Sequence, residues 1–154
     1  MLIYRMRKEV FKMVNIPDGV EVDVAGKKIS VSGELGKIIR EFKGKLSIEK
    51  KDNFIEVLNK KSTKNDKKMI NSVAAHIKNM MHGVSEGYEY KLKAVSAHFP
   101  MTLNVEGKNL IIKNFLGEVK SRKAQILDNV EIKIDKDNVI SVKSFDKEKA
   151  GQTA

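Results

Sequence analysis

The sequence predicts an α+β protein built from two tandem copies of a small antiparallel β-sheet covered by one helix, with the helix of the second copy truncated. Three observations lead to this prediction: an internal repeat, strand-like alternation in both copies, and one long amphipathic stretch in the first. We expect residues 1–85 to form the first α+β repeat with an N-terminal extension, and residues 86–154 to form the second.

The repeat is ungapped over 18 residues. Residues 20–37, "VEVDVAGKKISVSGELGK", align with residues 101–118, "MTLNVEGKNLIIKNFLGE", at a shift of 81, and two glycines of one stretch fall on two glycines of the other. A second match, "KDNFIEV" (51–57) with "KDNVISV" (136–142), needs a slightly different shift. Matched glycines and matched alternation over this length indicate a tandem duplication.

The strands of the first copy follow from alternation. Apolar and polar residues alternate on both sides of residues 25–28, "AGKK", which is typical of a β-hairpin with one buried face. Ile48 and residues 54–57, "FIEV", continue the sheet, with residues 52–53, "DN", as the turn between them.

The helix of the first copy follows from a change of period. Apolar residues recur at spacings of three and four between Met69 and Val84, which predicts an amphipathic helix over the sheet. We expect Asn65 or Asp66 to cap its N-terminus and Gly83 to end it.

The second copy repeats the strands but leaves little room for a helix. Its helix should begin near Asp146 and Lys147, and only about nine residues remain before the sequence ends at Ala154. We expect either that the natural protein continues through a longer helix or that a partner covers the bare part of this sheet.

The charge of the chain indicates a partner that carries phosphates. The net charge is +10 and the sequence pI is about 9.7. Residues 91–124 hold seven basic and two acidic side chains, whereas residues 125–154 have a net charge of −1. The binding surface is therefore expected in the first strands and loops of the second copy. The lysines within residues 60–68, "KKSTKNDKK", form either a second candidate surface or an ordinary exposed loop.

No enzyme is predicted. The absence of cysteine excludes disulfides, cysteine-zinc sites and thiol nucleophiles. His76 and His82 are six residues apart, which does not suit a shared metal, and no glycine-rich phosphate loop is present. We expect no catalytic residue, no metal site and no cofactor. No apolar run reaches the roughly 18 residues of a membrane span, so a soluble cytoplasmic protein without a membrane partner is expected.

Three separated motifs resemble one known family. They are "GVSEGYEYKLKAVSAHFPM" (83–101), "IIKNFLGE" (111–118) and "DKEKAGQTA" (146–154), and they are similar to large-subunit ribosomal protein six, numbered nine in eukaryotes. The order of the motifs and the tandem build also match that family, and residues 90–100, "YKLKAVSAHFP", resemble its archaeal and eukaryotic branch. The resemblance covers the chain from about Glu9 to Ala154.

The resemblance implies a structural protein of the ribosome that binds large-subunit rRNA near the stalk base and the sarcin–ricin region. There it would lie among neighbouring large-subunit proteins and indirectly support the site of translational GTPases. The second domain would be the main RNA reader, in agreement with the charge count. The RNA-binding residues expected from matching positions and charge are Lys91, Lys93, His98, Phe99, Lys113, Asn114, Phe115, Gly117, Lys120, Arg122 and Lys123.

Different roles are expected for these side chains. The lysines and Arg122 would neutralise phosphates, and His98 would pack on a sugar or an exposed base. Phe99 is equally consistent with base stacking and with a core position, whereas Phe115 is interpreted as a core residue. Asn114 and Gly117 would allow close approach of the backbone.

Two departures from the family concern the first turn and the C-terminus. Where the family usually has Gly-Pro-(Lys/Arg)-Gly, residues 33–36 read "GELG", so this turn is not expected to contact RNA. Although a Gly-x-x-Gly spacing also occurs in KH domains, here it follows a hairpin strand, and a glycine turn is the favoured interpretation. The family also continues beyond Ala154 into a closing helix and a basic tail.

The alternative hypothesis is a free-standing interaction module that recruits a protein helix to the uncovered second sheet. Co-sedimentation with large subunits, reversed by high salt, distinguishes the ribosomal hypothesis from this one. Under the ribosomal hypothesis, Arg122→Glu with Lys123→Glu should weaken rRNA binding far more than Lys60→Glu with Lys61→Glu.

Overall fold

The computed structural model describes residues 8–96, 98–135 and 138–154, without the side chains of Lys8 and Lys61. The chain divides into two compact units, of which the first ends at Ser85 and the second begins at Glu86. Within the described residues, each unit contains two three-stranded antiparallel sheets and one α-helix. The predicted α+β class and tandem build are confirmed, although each copy has two small sheets instead of one.

The first unit contains six strands and one long helix. They are β1 (Lys8–Asn15), β2 (Glu21–Ala25), β3 (Lys28–Gly33), β4 (Gly36–Glu41), β5 (Ser47–Lys51), β6 (Phe54–Ser62) and α1 (Lys64–Ser85). The sheet orders are β1-β6-β5 and β2-β3-β4. Ala25 pairs with Lys28, and Lys51 pairs with Phe54, so both hairpin turns occur where the alternation placed them.

Helix α1 covers both sheets of this unit through its apolar stripe. Ile70, Ile77 and Val84 are among its buried side chains, and they join one core with residues of β2, β3, β5 and β6. Ile55 and Val57 of β6 are fully buried in the same core. Removing most of a side chain such as Ile77 would cost about 2–5 kcal/mol, because transfer and cavity terms add.

The predicted ends of α1 were wrong. Thr63 is the cap: its hydroxyl accepts from the Asp66 backbone N–H at 3.3 Å, and Asp66 accepts in return from the Thr63 N–H at 2.8 Å. Asp66 is therefore the third helical residue of a capping box, not the cap itself. Gly83 is buried inside the helix, which continues to Ser85 and is followed by Gly87 at a φ of 78°.

The second unit contains six strands and a short helix. They are β7 (Tyr88–Lys93), β8 (Thr102–Glu106), β9 (Asn109–Lys113), β10 (Arg122–Gln125), β11 (Glu131–Ile134), β12 (Val139–Ser144) and α2 (Lys147–Thr153). The sheet orders are β10-β9-β8 and β11-β12-β7. Their facing sides share one small core around Leu110, Ile140 and Val142. Asp146 caps α2 where predicted, accepting from the backbone N–H groups of Glu148 and Lys149.

Helix α2 is short, as expected from the sequence, and covers little of its unit. It packs on β7 and β12, and Ala150 is its one buried residue. In the described parts of the chain, no helix is both long and apolar enough to cross a membrane.

One connection is longer in the second copy. Val31 pairs with Ile38 in the first unit, whereas the corresponding Ile112 pairs with Arg122, so three residues are added between β9 and β10. This addition accounts for most of the change in repeat shift along the chain. The longer connection holds a 3-10 turn, Phe115–Gly117, that has no counterpart between β3 and β4.

Candidate nucleic-acid interface

Two connections of the second unit meet at one place: the β7–β8 connection and the β9–β10 connection. The Asn114 side-chain amide donates a hydrogen bond to the Pro100 carbonyl at 3.0 Å. A Cβ added to Gly117 would lie 3.4 Å from the Phe99 ring, so the backbone of one connection lies against an aromatic side chain of the other. Six predicted site residues belong to these connections: His98, Phe99, Asn114, Phe115, Gly117 and Lys120.

The backbone of the β9–β10 connection is left-handed at three positions. Asn114, Leu116 and Gly117 have φ values of 57°, 51° and 81°. Asparagine and glycine adopt this conformation readily, but a leucine does so at a steric cost of about 1–2 kcal/mol. The side chain of Leu116 is nevertheless 74% exposed, so burial does not offset this cost. Strain of this kind is concentrated at functional sites, which makes Leu116 a candidate contact residue.

Arg122 is held by two neighbours in the same connection. Its Nε and Nη2 donate to the two carboxylate oxygens of Glu118 at 2.9 and 2.7 Å, and its guanidinium lies 4.1 Å from the centre of the Phe115 ring. These hydrogen bonds hold the pKa of Glu118 below its usual range and raise the pKa of Arg122. Arg122 therefore orders the turn and shares its charge with Glu118, in addition to any contact with a phosphate.

The role of Glu118 was missed by the sequence reasoning. The spacing of four residues between Glu118 and Arg122 is a known ion-pair spacing on helices, but the intervening residues are not helical here. Phe115 was interpreted as a core residue, and it is instead half-buried beneath a guanidinium.

Lys113, Lys120 and Lys123 are the lysines of this region, and all three are exposed. Lys113 ends β9, Lys120 lies in the β9–β10 connection, and Lys123 lies on the edge strand β10. Among the described residues none of the three forms an ion pair, whereas Lys108 is paired with Asp128 at 2.5 Å. The charge available to a ligand is therefore concentrated on these three lysines.

Apolar side chains are exposed beside the lysines. Phe99 is 52% exposed, and Val119 is fully exposed next to Lys120. With Leu116 they give this region an apolar component that charge counting did not detect. We refer to the region as the loop surface; it consists of His98, Phe99, Lys113, Asn114, Phe115, Leu116, Gly117, Val119, Lys120, Arg122 and Lys123.

Lys91 and Lys93 are not part of the loop surface. Both lie on β7, where they pair with Ser141 and Val139 on the side of the sheet that faces away from the core. Lys113 and Lys123 instead lie on the outer side of the other sheet, because they pair with Thr102 and Ile111, opposite the core residues Leu110 and Ile112. The structure therefore divides the predicted site residues between two faces of the second unit.

The outer face of sheet β11-β12-β7 carries two further lysines that were not predicted. Lys133 pairs with Ser141, and Lys143 lies two residues further along β12 on the same face. Each has a carboxylate partner, Glu131 at 3.1 Å for Lys133 and Glu89 at 3.6 Å for Lys143. We call this area, with Lys91 and Lys93, the sheet surface. Its positive charge is partly compensated, and it is flat where the loop surface is irregular.

The turn between β3 and β4 in the first unit is packed against the protein. A Cβ on Gly33 would lie 2.8 Å from a methyl group and the carbonyl of Val84, and the Leu35 N–H donates to that carbonyl at 3.0 Å. This turn closes on the end of α1, so its glycine serves close packing.

The histidines do not form a metal site. His76 is half-buried on α1 beside Arg40 and Phe42, and His82 is exposed on the same helix. Across residues 8–96, 98–135 and 138–154, no three histidine or carboxylate side chains are gathered as metal ligands.

The two tandem α+β units and the strained, lysine-rich connection place the chain in the class of basic, duplicated α+β proteins. The family described as Ribosomal protein L6 matches residues 16–87 and 99–154, and this chain belongs to that family. It is 38% identical to the Large ribosomal subunit protein uL6 of Methanothrix thermoacetophila, over 96% of this chain and 84% of the relative. The uL6 proteins of Methanosarcina mazei and Ignicoccus hospitalis are 41% and 40% identical, over 97% and 94% of this chain and 85% and 81% of their own lengths.

These matches confirm the resemblance drawn from the three motifs, including its archaeal character. They also cover both copies, so the family relationship extends over the two units and not only over the loop surface.

Proposed function

We propose that the chain is a non-enzymatic structural constituent of the large ribosomal subunit and that it binds large-subunit rRNA mainly through the loop surface. The observation that carries the proposal is the combination of the family match with three lysines around a strained turn that form no ion pair with any described residue. Relatives of this chain are named as large-subunit proteins over nearly its whole length.

The proposed mechanism combines charge with preformed shape. Lys113, Lys120 and Lys123 neutralise phosphates and release counterions, so the affinity falls as salt rises. Phe99 and Leu116 contact a sugar or an unstacked base. Because Arg122 is already fixed on Phe115 and Glu118, little entropy is lost when the turn is held against RNA.

The proposed location is the region between the stalk base and the sarcin–ricin loop, where the chain supports the landing site of translational GTPases. The match of residues 90–100 and 113–123 to the family motifs supports this location. Neighbouring large-subunit proteins contact the remaining surfaces, and Lys91 and Lys93 on the sheet surface provide a second, weaker contact to RNA.

The alternative hypothesis, a module that recruits a protein helix, is less well supported. The family match favours the ribosomal role, and the face of sheet β11-β12-β7 that lies opposite the core side, where a closing helix would pack, carries four lysines and two glutamates. A flat charged face of this kind suits a polyanion better.

A charge-reversal experiment tests RNA binding. Lys120→Glu with Lys123→Glu should weaken binding to a transcript of the sarcin–ricin region by at least about tenfold, because two attractions become repulsions. Lys27→Glu with Lys28→Glu, exposed in the β2–β3 turn, is the matched control. Arg122 is left unchanged because its loss would also disorder the turn. The pair Lys60 and Lys61 is not used as the control, because the side chain of Lys61 lies outside the described residues. Equal loss in both variants would contradict the proposal.

A separate measurement tests the location. Chemical probing of large subunits with and without this chain should reveal protected nucleotides at the stalk base and in the sarcin–ricin region. Protection confined to other helices would contradict the location and leave the RNA-binding role standing.

A further inference from the structure

A groove runs along the first unit between the free edge of β1 and helix α1. Its volume is about 660 Å³, and it is lined by residues 12–15 of β1 and by Asn71, Ala74, Ala75 and Lys78 of α1. In sheet order β1-β6-β5, β1 is an outer strand, and no described strand pairs with its other side. The groove therefore lies beside backbone groups that are available for hydrogen bonding.

The lining shows that the backbone of β1 borders the groove. Side chains alternate between the two faces of a strand, yet four consecutive residues, 12–15, line this space, which places the strand edge along it. The helical residues lie at spacings of three, one and three, which form a single stripe on α1. Four strand residues extend over roughly 13 Å, enough for an extended segment of similar length.

Small and positive side chains give the groove its chemistry. Ala74 and Ala75 leave space where longer side chains would fill it, and Val14 and Ala74 form a buried apolar floor. Lys12 and Lys78 are exposed on opposite sides, and neither forms an ion pair within the described residues. The lining contains no carboxylate.

The tandem copy closes the corresponding place. Val57 and Val142 are equivalent positions in the repeat. Lys12 pairs with Val57 in the first copy, and Tyr90 pairs with Val142 in the second copy. Tyr90 is part of the core of its unit, and a Cβ on Gly151 of α2 would lie 3.9 Å from its hydroxyl. An aromatic side chain thus lies against the helix in one copy, while a lysine and two alanines leave the other copy open.

We propose that this groove binds an extended acidic segment of a partner protein, which adds a strand to the free edge of β1. The backbone of the segment pairs with β1, its small apolar side chains lie on Val14 and Ala74, and its carboxylates meet Lys12 and Lys78. RNA fits less well, because a phosphate backbone needs neither an unpaired strand edge nor an apolar floor. This site is separate from the loop surface and does not depend on the proposed RNA binding.

The test uses the full chain and a labelled peptide of roughly eight residues with the repeat Glu-Thr-Val-Thr, which puts glutamate and valine on the same face of the added strand, as Lys12 and Val14 require. Fluorescence anisotropy gives the affinity. Lys12→Glu with Lys78→Glu should weaken binding by at least about tenfold, because both charge contacts are reversed. Ala75→Gln, a neutral change at an exposed helix position, should weaken it several-fold by filling the groove. Lys27→Glu with Lys28→Glu, and Lys120→Glu with Lys123→Glu, should leave it unchanged.

Hydrogen exchange distinguishes strand addition from simple charge attraction. Binding of the peptide should slow exchange of backbone amides within residues 12–15, which surface attraction alone does not do. The proposal is overturned if the peptide does not bind, in which case Lys12 only protects the edge from aggregation. It is also overturned if every charge variant loses affinity alike, or if an oligouridine of equal length protects the same amides more strongly.

Discussion

Arg122 illustrates how a predicted phosphate contact acquires a structural role. Its two hydrogen bonds to Glu118 and its position over Phe115 connect the start of β10 to the middle of the preceding connection. Arginine suits this task because its planar fork matches a carboxylate and its face stacks on an aromatic ring. A lysine at this position would retain the charge but lose both geometric contacts.

The ion pair of Glu118 should make the turn sensitive to acid. The folded-state pKa of Glu118 lies below its ordinary value of 4.5, so the pair stabilises the turn fully above pH 4.5. This stabilisation is lost as the pH falls through the lowered pKa. In an NMR titration, we expect the amide signals of Leu116 and Gly117 to shift in that acidic range. Glu118→Gln should already give the low-pH signals at neutral pH.

The matched control for this titration is Glu106→Gln, which removes an exposed carboxylate from the end of β8. Its Leu116 and Gly117 signals should titrate as in the unmodified chain. Signals that stay constant through acid in the unmodified chain would mean that the pair does not hold the turn.

Gly117 should be needed for both its backbone and its contact. Gly117→Ala puts a side chain at a φ of 81° and 3.4 Å from the Phe99 ring. We expect a loss of about 1–2 kcal/mol in the free energy of unfolding, measured with urea. Gly107→Ala has a similar φ of 60° but open space, so it should cost a similar amount. Only Gly117→Ala should also shift the NMR signals of Phe99 and weaken RNA binding; parallel effects in both variants would argue against this contact.

At the scale of elements, periodicity predicted which segments are helix and which are strands. The three-and-four spacing from Met69 to Val84 lies inside α1, and the two hairpin turns follow from alternation and turn residues. The ends of α1 were harder to predict because several polar residues precede it. Selecting Thr63 over Asn65 and Asp66 depends on which side chain reaches an unpaired backbone N–H, a question of geometry.

The site was less predictable than the strands for a similar reason. Charge counting favoured the second unit, but the candidate loop surface depends on three left-handed residues and on a three-residue addition that the ungapped alignment does not detect. Lys91 and Lys93 were grouped with the loop residues because they are near in sequence. The strand register places them on another face, since alternate residues of β7 point to opposite sides.

The capping box of α1 should contribute measurably to the first unit. Thr63→Ala removes the acceptor for the Asp66 N–H and one partner of the Asp66 carboxylate, so we expect a loss of about 1 kcal/mol. Amide hydrogen exchange in the first turn of α1 provides the measurement. Ser72→Ala, an exposed position within the same helix, should not lower stability because alanine is the stronger helix former. A larger loss in Ser72→Ala would show that the cap is unimportant.

At the scale of the whole molecule, duplication has allowed the two copies to specialise. In the first unit the β3–β4 turn is packed against α1, and the helix of 22 residues covers a large core. In the second unit the equivalent connection is longer, strained and basic, above a much smaller core. The same fold thus supports a closely packed β3–β4 turn in one copy and a longer, strained and basic β9–β10 connection in the other.

The salt dependence of RNA binding should report where the net charge of +10 acts. If Lys120 and Lys123 each contact a phosphate, Lys120→Gln with Lys123→Gln should reduce the slope of log affinity against log salt by about two, because about one counterion is released per contact. Lys27→Gln with Lys28→Gln removes the same charge from the molecule but should leave the slope unchanged. A slope that follows net charge alone would fall equally in both variants, and binding would then depend on the overall field of the protein instead of on the loop surface.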